Sequence, residues 1–242
     1  MRMSPNFLIH REINPVFSND DAVIVYQSFE NGQSDIFSMH RDGSNKKLII
    51  GGPGYEWKPA FSHDGRRIFY TSIRDGKEDI YSNRINGGDE INLTNSPVNE
   101  GYPAISKNGG FIVYSVIESI INVGAFDKGL FKLDLFSLNK TQIVPGSNGV
   151  TGFSGPKLSS DSKYIACRYF RASWNYIYLM DSDGKNQIEI AKGSDVEFTE
   201  DGNSLIYLGH DGLHIYNIST KTDALIYAQQ IWGYNIEVCA AK

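Results

Sequence analysis

The chain has 242 residues, of which 40% are apolar, 12% aromatic and 21% charged, a mixture that excludes a disordered or acidic-tail protein. A formal net charge of −5 argues against nucleic acid as the main partner. Twenty-four glycines, 14 tyrosines and 13 phenylalanines suit strands and turns better than a helical bundle.

In chain order, the first apolar run is Phe7-Leu8-Ile9, too short for the core of a signal peptide. The longest, residues 111–117, is interrupted by Ser115 and too short to span a bilayer. The expectation is a chain without membrane contact and cytoplasmic as written, or periplasmic or secreted if a leader was removed. Cys167 and Cys239 are too few to staple a fold of this length.

A repeat then carries most of the information. Pro15-Val16-Phe17-Ser18-Asn19-Asp20-Asp21 returns 44 residues later as Pro59-Ala60-Phe61-Ser62-His63-Asp64-Gly65. It returns after a further 44 as Pro103-Ala104-Ile105-Ser106-Lys107-Asn108-Gly109, and looser copies begin at 156 and 196. Inside each unit Ile24, Ile68, Ile112, Ile165 and Leu205 recur in register, as do Tyr26, Tyr70, Tyr114, Cys167 and Tyr207. The second unit parses into strands a (59–62), b (67–72), c (79–83) and d (90–94). A tight turn at His63-Asp64-Gly65, a loop at 74–78 and a hairpin turn at Asn86-Gly87 separate them. Asp42-Gly43 and Asp183-Gly184 mark the matching c–d turns, and no amphipathic helix is predicted anywhere.

Four-stranded units of this length, repeated, predict an all-β propeller of antiparallel blades, with five blades. The alternative is a six-bladed ring with an incomplete sixth blade. The whole chain, 1–242, reads as one propeller domain, with 1–14 and 230–242 as ring-closing tails. Phe7-Leu8-Ile9-His10-Arg11 has the pattern of an outer strand, and residues 236–240 that of another strand a. The pattern P-x-F-S-x-D-G, I-x-Y-x-S, D-I-Y and L-T resembles the TolB-type, WD-repeat-like propeller family. Asp35-Ile36-Phe37, Asp79-Ile80-Tyr81 and Leu93-Thr94 carry it best, and the resemblance covers roughly 15–230. It implies a fold more than a function, because such repeats serve unrelated proteins.

Departures from the repeat point to function, since they fall on loops. In a propeller the b–c loops and inter-blade links share one rim. The third b–c loop, 116–128, carries Ile117, Ile120, Ile121, Val123 and Phe126, and the fourth carries Phe170, Arg171 and Trp174. The links add Tyr55, Trp57, Tyr102, Phe153, Trp232 and Tyr234. Aromatics and Arg make recognition hot spots. Aromatics ahead of strand a also wedge between blades, so Tyr102 and Phe153 have a structural reading too. Trp174 and the 116–128 excursion are not required by the repeat and read as facing a partner.

Catalytic signatures are missing. The sequence has no G-x-S-x-G, P-loop, G-x-G-x-x-G or H-E-x-x-H. His10, His40, His63, His210 and His214 are scattered, and strand spacing gives His210 and His214 no common helical face for zinc. In Asp181-Ser182-Asp183-Gly184, a calcium loop would require an acid where Lys192 stands, so a hairpin turn explains it better. Glu56 and Glu100, three residues before their strands a, are expected on a solvated, salt-bridged rim near Lys58. The resulting expectation is a non-enzymatic scaffold that binds a protein or peptide on the b–c and inter-blade rim. It has no cofactor and no metal, and a saccharide is the second ligand class. The resemblance also implies two competing readings, an oligogalacturonate-lyase-like enzyme and the accessory propeller of a prolyl-oligopeptidase-like hydrolase.

Overall fold

The computed structural model describes residues 12–228 except 31, 121–123, 148–151 and 172; of 118–120 and 124–126 it describes the backbone alone. The first blade is β1 (Glu12–Phe17), β2 (Val23–Ser28), β3 (Asp35–His40) and β4 (Lys47–Ile50). The second is β5 (Tyr55–Phe61), β6 (Arg67–Arg74), β7 (Lys77–Arg84) and β8 (Ile91–Asn92). The third is β9 (Asn99–Ile105), β10 (Phe111–Ile120), β11 (Gly124–Asp134) and β12 (Lys140–Pro145). The fourth is β13 (Gly152–Leu158), β14 (Tyr164–Arg171), β15 (Trp174–Asp181) and β16 (Ile188–Lys192). The fifth is β17 (Val196–Phe198), β18 (Ser204–Leu208), β19 (Gly212–Asn217) and β20 (Thr222–Ala228). Each blade is a four-stranded antiparallel meander, and together they make a five-bladed β-propeller. The tail segments 1–11 and 229–242, with Cys239, lie outside the described residues, whereas 12–14 already belong to β1.

The most regular part of the repeat closes the a–b turn. The hydroxyls of Ser18, Ser62, Ser106, Ser159 and Thr199 donate to Asp20, Asp64, Asn108, Asp161 and Asp201 at 2.6–2.9 Å. Each hydroxyl oxygen in turn accepts the backbone N–H that opens strand b. The side chain two residues on accepts a second backbone N–H. Short polar side chains thus satisfy backbone donors that the ladder leaves over, which is why Ser, Thr, Asp and Asn recur there.

Both faces of a blade are apolar, because strand b is buried on each side. Val25, Ile36 and Ile50 of the first blade meet Ile68 and Tyr70 of the second. Phe69 and Ile80 meet Ile112, Tyr114 and Leu133 across the next junction. Val113, Leu130 and Val144 meet Phe153, Ile165, Cys167 and Met180, and Ala166, Ile177 and Leu179 meet Leu205, Tyr207 and Tyr216. Among the described residues no such cluster joins the fifth blade to the first. There Ile24, Tyr26 and Phe37 form a cluster of their own, while Leu225 and Tyr227 are 45% and 59% exposed.

The recurring tyrosine is a device for burial with a polar tip. Tyr70, Tyr114 and Tyr207 are buried, and their hydroxyls donate to Glu90 at 2.6 Å, Glu100 at 3.2 Å and Asp223 at 2.6 Å. Burial raises the pKa of all three phenols. The fourth blade has Cys167 at this place, and three aromatics, Phe153, Tyr169 and Tyr178, pack against one another in the same core.

Several expected boundaries move. The excursion at 116–128 is not a loop: β10 and β11 continue as a paired arm, with Glu118 opposite Phe126. Its alternation is strand-like, and the register shift between Val116 and Ile117 absorbs the positive φ of Gly129. The expected loop at 74–78 shrinks to Asp75-Gly76, at φ 54° and 76°, which lets β6 and β7 extend to eight residues each. Positive φ in the second c–d turn falls on Gly87, Gly88 and Asp89 rather than Asn86, and β8 is only two residues long.

Two outcomes follow. Tyr70→Phe removes a hydrogen bond to a charged acceptor and lowers stability by about 1.5–3 kcal/mol in urea titration. For acid, hydroxyl bonding lowers the pKa of Asp20, Asp64 and Asp201; Lys163, then Ser159, holds Asp161 at about 2. These groups are depressed in the fold, so their contribution is present above the unfolded value of about 4 and is lost as pH falls toward 2. The urea midpoint should decline through that window, and Asp64→Asn, which keeps the acceptor, should flatten the decline slightly.

Candidate functional site

The five inner strands surround one channel of about 580 Å³. Proline has no N–H for the ladder, so it occurs in sheets where pairing is broken. Pro15, Pro59, Pro103 and Pro156 each sit in a register break of their inner strand. The residue before each is left-handed: Asn14 at φ 53°, Lys58 at 50°, Tyr102 at 59° and Gly155 at 61°. For the three that are not glycine this costs on the order of 1–3 kcal/mol apiece. The bulges bring four consecutive blades to the channel at one level, and all four residues line it.

The fourth blade contributes through a neighbour. A Cβ on Gly155 would lie 3.3 Å from Arg168 Nη2, so the missing side chain leaves room for that guanidinium. The fifth blade has no proline here; Asp195 keeps the regular ladder, its carbonyl accepting from Leu208 N at 3.0 Å. Around the channel the order is therefore Asn14, Lys58, Tyr102, Arg168 and Asp195. Lys58 Nζ donates to Asn14 Oδ1 at 2.5 Å and lies 5.9 Å from the centre of the Tyr102 ring. Burial raises the pKa of the Tyr102 phenol against the pull of the Arg168 guanidinium. Arg168 Nη1 lies 3.9 Å from Asp195 Oδ1, and Asp195 Oδ2 is buried with no donor in reach among the described residues. On the same channel wall Lys157 pairs with Glu197.

The rim aromatics separate into distinct environments. Tyr55 is 52% exposed and Trp174 57% exposed, beside Phe170 at 39% and an exposed Arg171. Lys192 Nζ stands 4.6 Å over the Trp174 ring, and Arg171 stacks 4.5 Å over Tyr176 while pairing with Glu189 at 3.2 Å. These cation–π contacts hold the aromatic face at the surface. Trp57 and Tyr102 are half-buried and meet edge to face at 5.3 Å. Phe153 is buried against Tyr169 and Tyr178. Trp232, Tyr234 and the side chain of Phe126 lie outside the described residues.

Glu56 and Glu100 correct the expectation of a solvated rim: both are buried. Each follows a strand start whose glycine or turn lets it point inward, onto partners of its own blade. Glu56 accepts from Ser72 Oγ at 3.1 Å and faces Arg74 at 3.7 Å; Glu100 accepts from Lys140 at 2.9 Å. Neither relies on Lys58. Burial raises the pKa of Glu56 against the pull of Ser72 and Arg74. His214 is held by Asp211 at 2.8 Å and Asp223 at 3.2 Å and stacks on Tyr207, while His210 is exposed. Among the described residues no three His, Cys, Asp or Glu side chains are grouped to hold a metal ion. Among the described residues, no helix is long and apolar enough to cross a membrane.

Sequence reasoning passed over Asn14, Lys58, Gly155, Arg168 and Asp195. The signal for the first three was the residue ahead of each repeat proline, a place where side chains change from unit to unit while the proline stays.

The profile of the TolB beta propeller domain matches residues 6–137. In three dimensions the chain is similar to TolB from Acinetobacter baumannii, with a TM-score of 0.73 and 18% identity over 88% of this chain and 53% of that one. It is also similar to an oligogalacturonate lyase in complex with manganese, at TM-score 0.69 and 15% identity over 91% and 66%. A chain of a nidogen/laminin complex gives TM-score 0.66 and 13% identity over 88% and 78%. This chain thus spans about half the length of the Acinetobacter protein. At such identities the likeness is one of fold. No curated protein matches the sequence.

Ionisation of buried Glu56 costs the fold stability, because its folded pKa lies above the unfolded one. That cost is absent below the unfolded value and complete above the folded one. Glu56→Gln should therefore gain melting temperature relative to the parent as pH rises from 4 to 7, by roughly 2–4 °C for each kcal/mol relieved.

Proposed function

Since the chain belongs to the TolB beta-propeller domain family, we propose that it is a non-enzymatic recognition scaffold that binds a protein or peptide on the b–c and inter-blade rim. One observation carries this reading. Trp174, on the tight b–c hairpin of the fourth blade, is 57% exposed, yet Lys192 fixes its ring from one side. A large aromatic held rigid in water, with Arg171 and Phe170 beside it, has the composition of a binding anchor. Its immobilisation lowers the entropy lost on association. Tyr55, the first residue of β5, adds a second exposed ring.

The test pairs affinity with stability. A partner isolated with the parent protein and then purified should bind Trp174→Ala at least tenfold more weakly. The melting temperatures of Trp174→Ala and Tyr55→Ala should stay within about 2 °C of the parent, as expected of surface substitutions. Phe153→Ala should lose about 3–5 kcal/mol, as a core side chain does. Unchanged affinity in the Trp174 variant would remove the rim from consideration.

A further inference from the structure

We propose that His214 is a pH-dependent latch on the fifth blade. Its charged ring fastens the b–c turn through Asp211 and the outer strand β20 through Asp223, and loss of that charge loosens both. This goes beyond the recognition reading and does not depend on it.

Comparison of the blades carries the inference. In the first four, the carboxylates clustered with the tyrosines are met by Lys or Arg. Lys46 lies over the Tyr26 and Phe37 rings and pairs with Glu12 and Glu30. Arg74 pairs with Glu90, the acceptor of Tyr70, and Lys140 pairs with Glu100, the acceptor of Tyr114. Arg171 pairs with Glu189, the acceptor of Tyr178. In the fifth blade the acceptor of Tyr207 is Asp223, and the group beside it is His214, with Nδ1 3.2 Å from Asp223 Oδ2. Lys221, the one Lys or Arg among the described residues 196–228, is exposed in the turn before β20. Arginine and lysine keep their charge near neutrality, whereas histidine changes charge between about pH 5 and pH 8.

The geometry favours the charged ring. The His214 side chain is 13% exposed, and its Nε2 lies 2.8 Å from Asp211 Oδ1. Its Nδ1 is buried opposite Asp223 Oδ2, off the line of a hydrogen bond. A neutral imidazole has one N–H, so with Nε2 donating to Asp211 it turns a lone pair toward the second carboxylate; the imidazolium presents a proton to each. From β18, Tyr207 stacks on the ring at 5.0 Å and donates to Asp223. From the turn, the exposed His210 lies 3.5 Å from Asp211. The link from the fourth blade approaches Tyr207 at Gly193, which brings no charge. Burial, then Asp223, raises the pKa of Tyr216 on β19, so that phenol stays neutral. The hydrogen bond from His214 lowers the pKa of Asp211, which is therefore ionised throughout the range of histidine.

Asp223 is carried by β20, whose Leu225 and Tyr227 are 45% and 59% exposed, so little apolar burial holds this strand. Detaching β20 separates Asp223 from His214. The closed blade thus favours the protonated ring, and closure strengthened at low pH is lost as pH rises and the ring discharges.

Hydrogen exchange followed by NMR on the full chain tests this, with each rate divided by that of an unstructured chain at the same pH. Protection of residues 222–228 should fall about fivefold between about pH 5.5 and pH 8, the scale of one partly exposed charge pair. Protection of residues 111–117 in the third blade should stay constant. His214→Gln should flatten the fall, and His210→Gln should retain it. Asp223→Asn, which keeps an acceptor for the Tyr207 hydroxyl, should reduce it, and decides the matter should the His214 variant not fold. Constant protection of 222–228 in the parent, protection that rises with pH, or a full fall persisting in His214→Gln or Asp223→Asn overturns the proposal.

Discussion

A four-stranded sheet with apolar side chains on both faces cannot stand alone in water, and the rest of this molecule follows from that constraint. The central strands of each blade hold Ile, Val, Tyr and Leu on alternate sides, and their burial contributes roughly 1.5–3 kcal/mol per large side chain. Blades must therefore stack face to face. Stacking around an axis brings the inner strands together and leaves a channel, while the outer strands stay in solvent. The functional surfaces are by-products of this arrangement: loops gathered at one end and an inner wall that no core residue needs to fill.

Polar chemistry is placed where the stacking permits it. The a–b turns use hydroxyls and short carboxylates to satisfy backbone donors at the surface. The recurring tyrosines take a hydroxyl into the interior and spend it on a carboxylate of their own blade. Glu56 and Glu100 are buried with basic partners drawn from the same blade, so these two carboxylates are compensated within the second and third blades. On the channel wall charges from different blades meet, Arg168 with Asp195 and Lys157 with Glu197, and Lys58 reaches the amide of Asn14.

Much of the fold was legible because its causes are local and periodic. The S-x-D turn, the alternation in strand b and the tyrosine position all repeat at near-constant spacing, and five copies average out accident. The channel ring was not legible for the opposite reason. Asn14, Lys58 and Tyr102 share a backbone conformation, not a side chain, so comparison of the copies discards them as variation. Arg168 is harder still, since its position depends on an absent side chain at Gly155. The rim was half legible: sequence placed Tyr102 and Trp174 alike beside loops. The bulge at Pro103 turns the first inward, and the two-residue hairpin turn leaves the second outside. The 116–128 arm misled because its extra length read as a loop, whereas pairing between β10 and β11 continues along it.

The junction between the fifth and first blades has an energetic consequence. Among the described residues, four continuous cores join the five blades in a row, in which each unit is stabilised by its neighbours. Among the described residues, the second, third and fourth blades share a core on both sides, and the first and fifth share one each. Local opening should then be graded along the row, cheapest at Leu225 and Tyr227 on the outer strand of the fifth blade and costliest at Tyr114 in the middle. A ligand that touched Asn14 and Asp195 at once would bridge the two ends through the channel. It would convert that row into a closed circuit and turn binding at the centre into resistance to opening at the periphery.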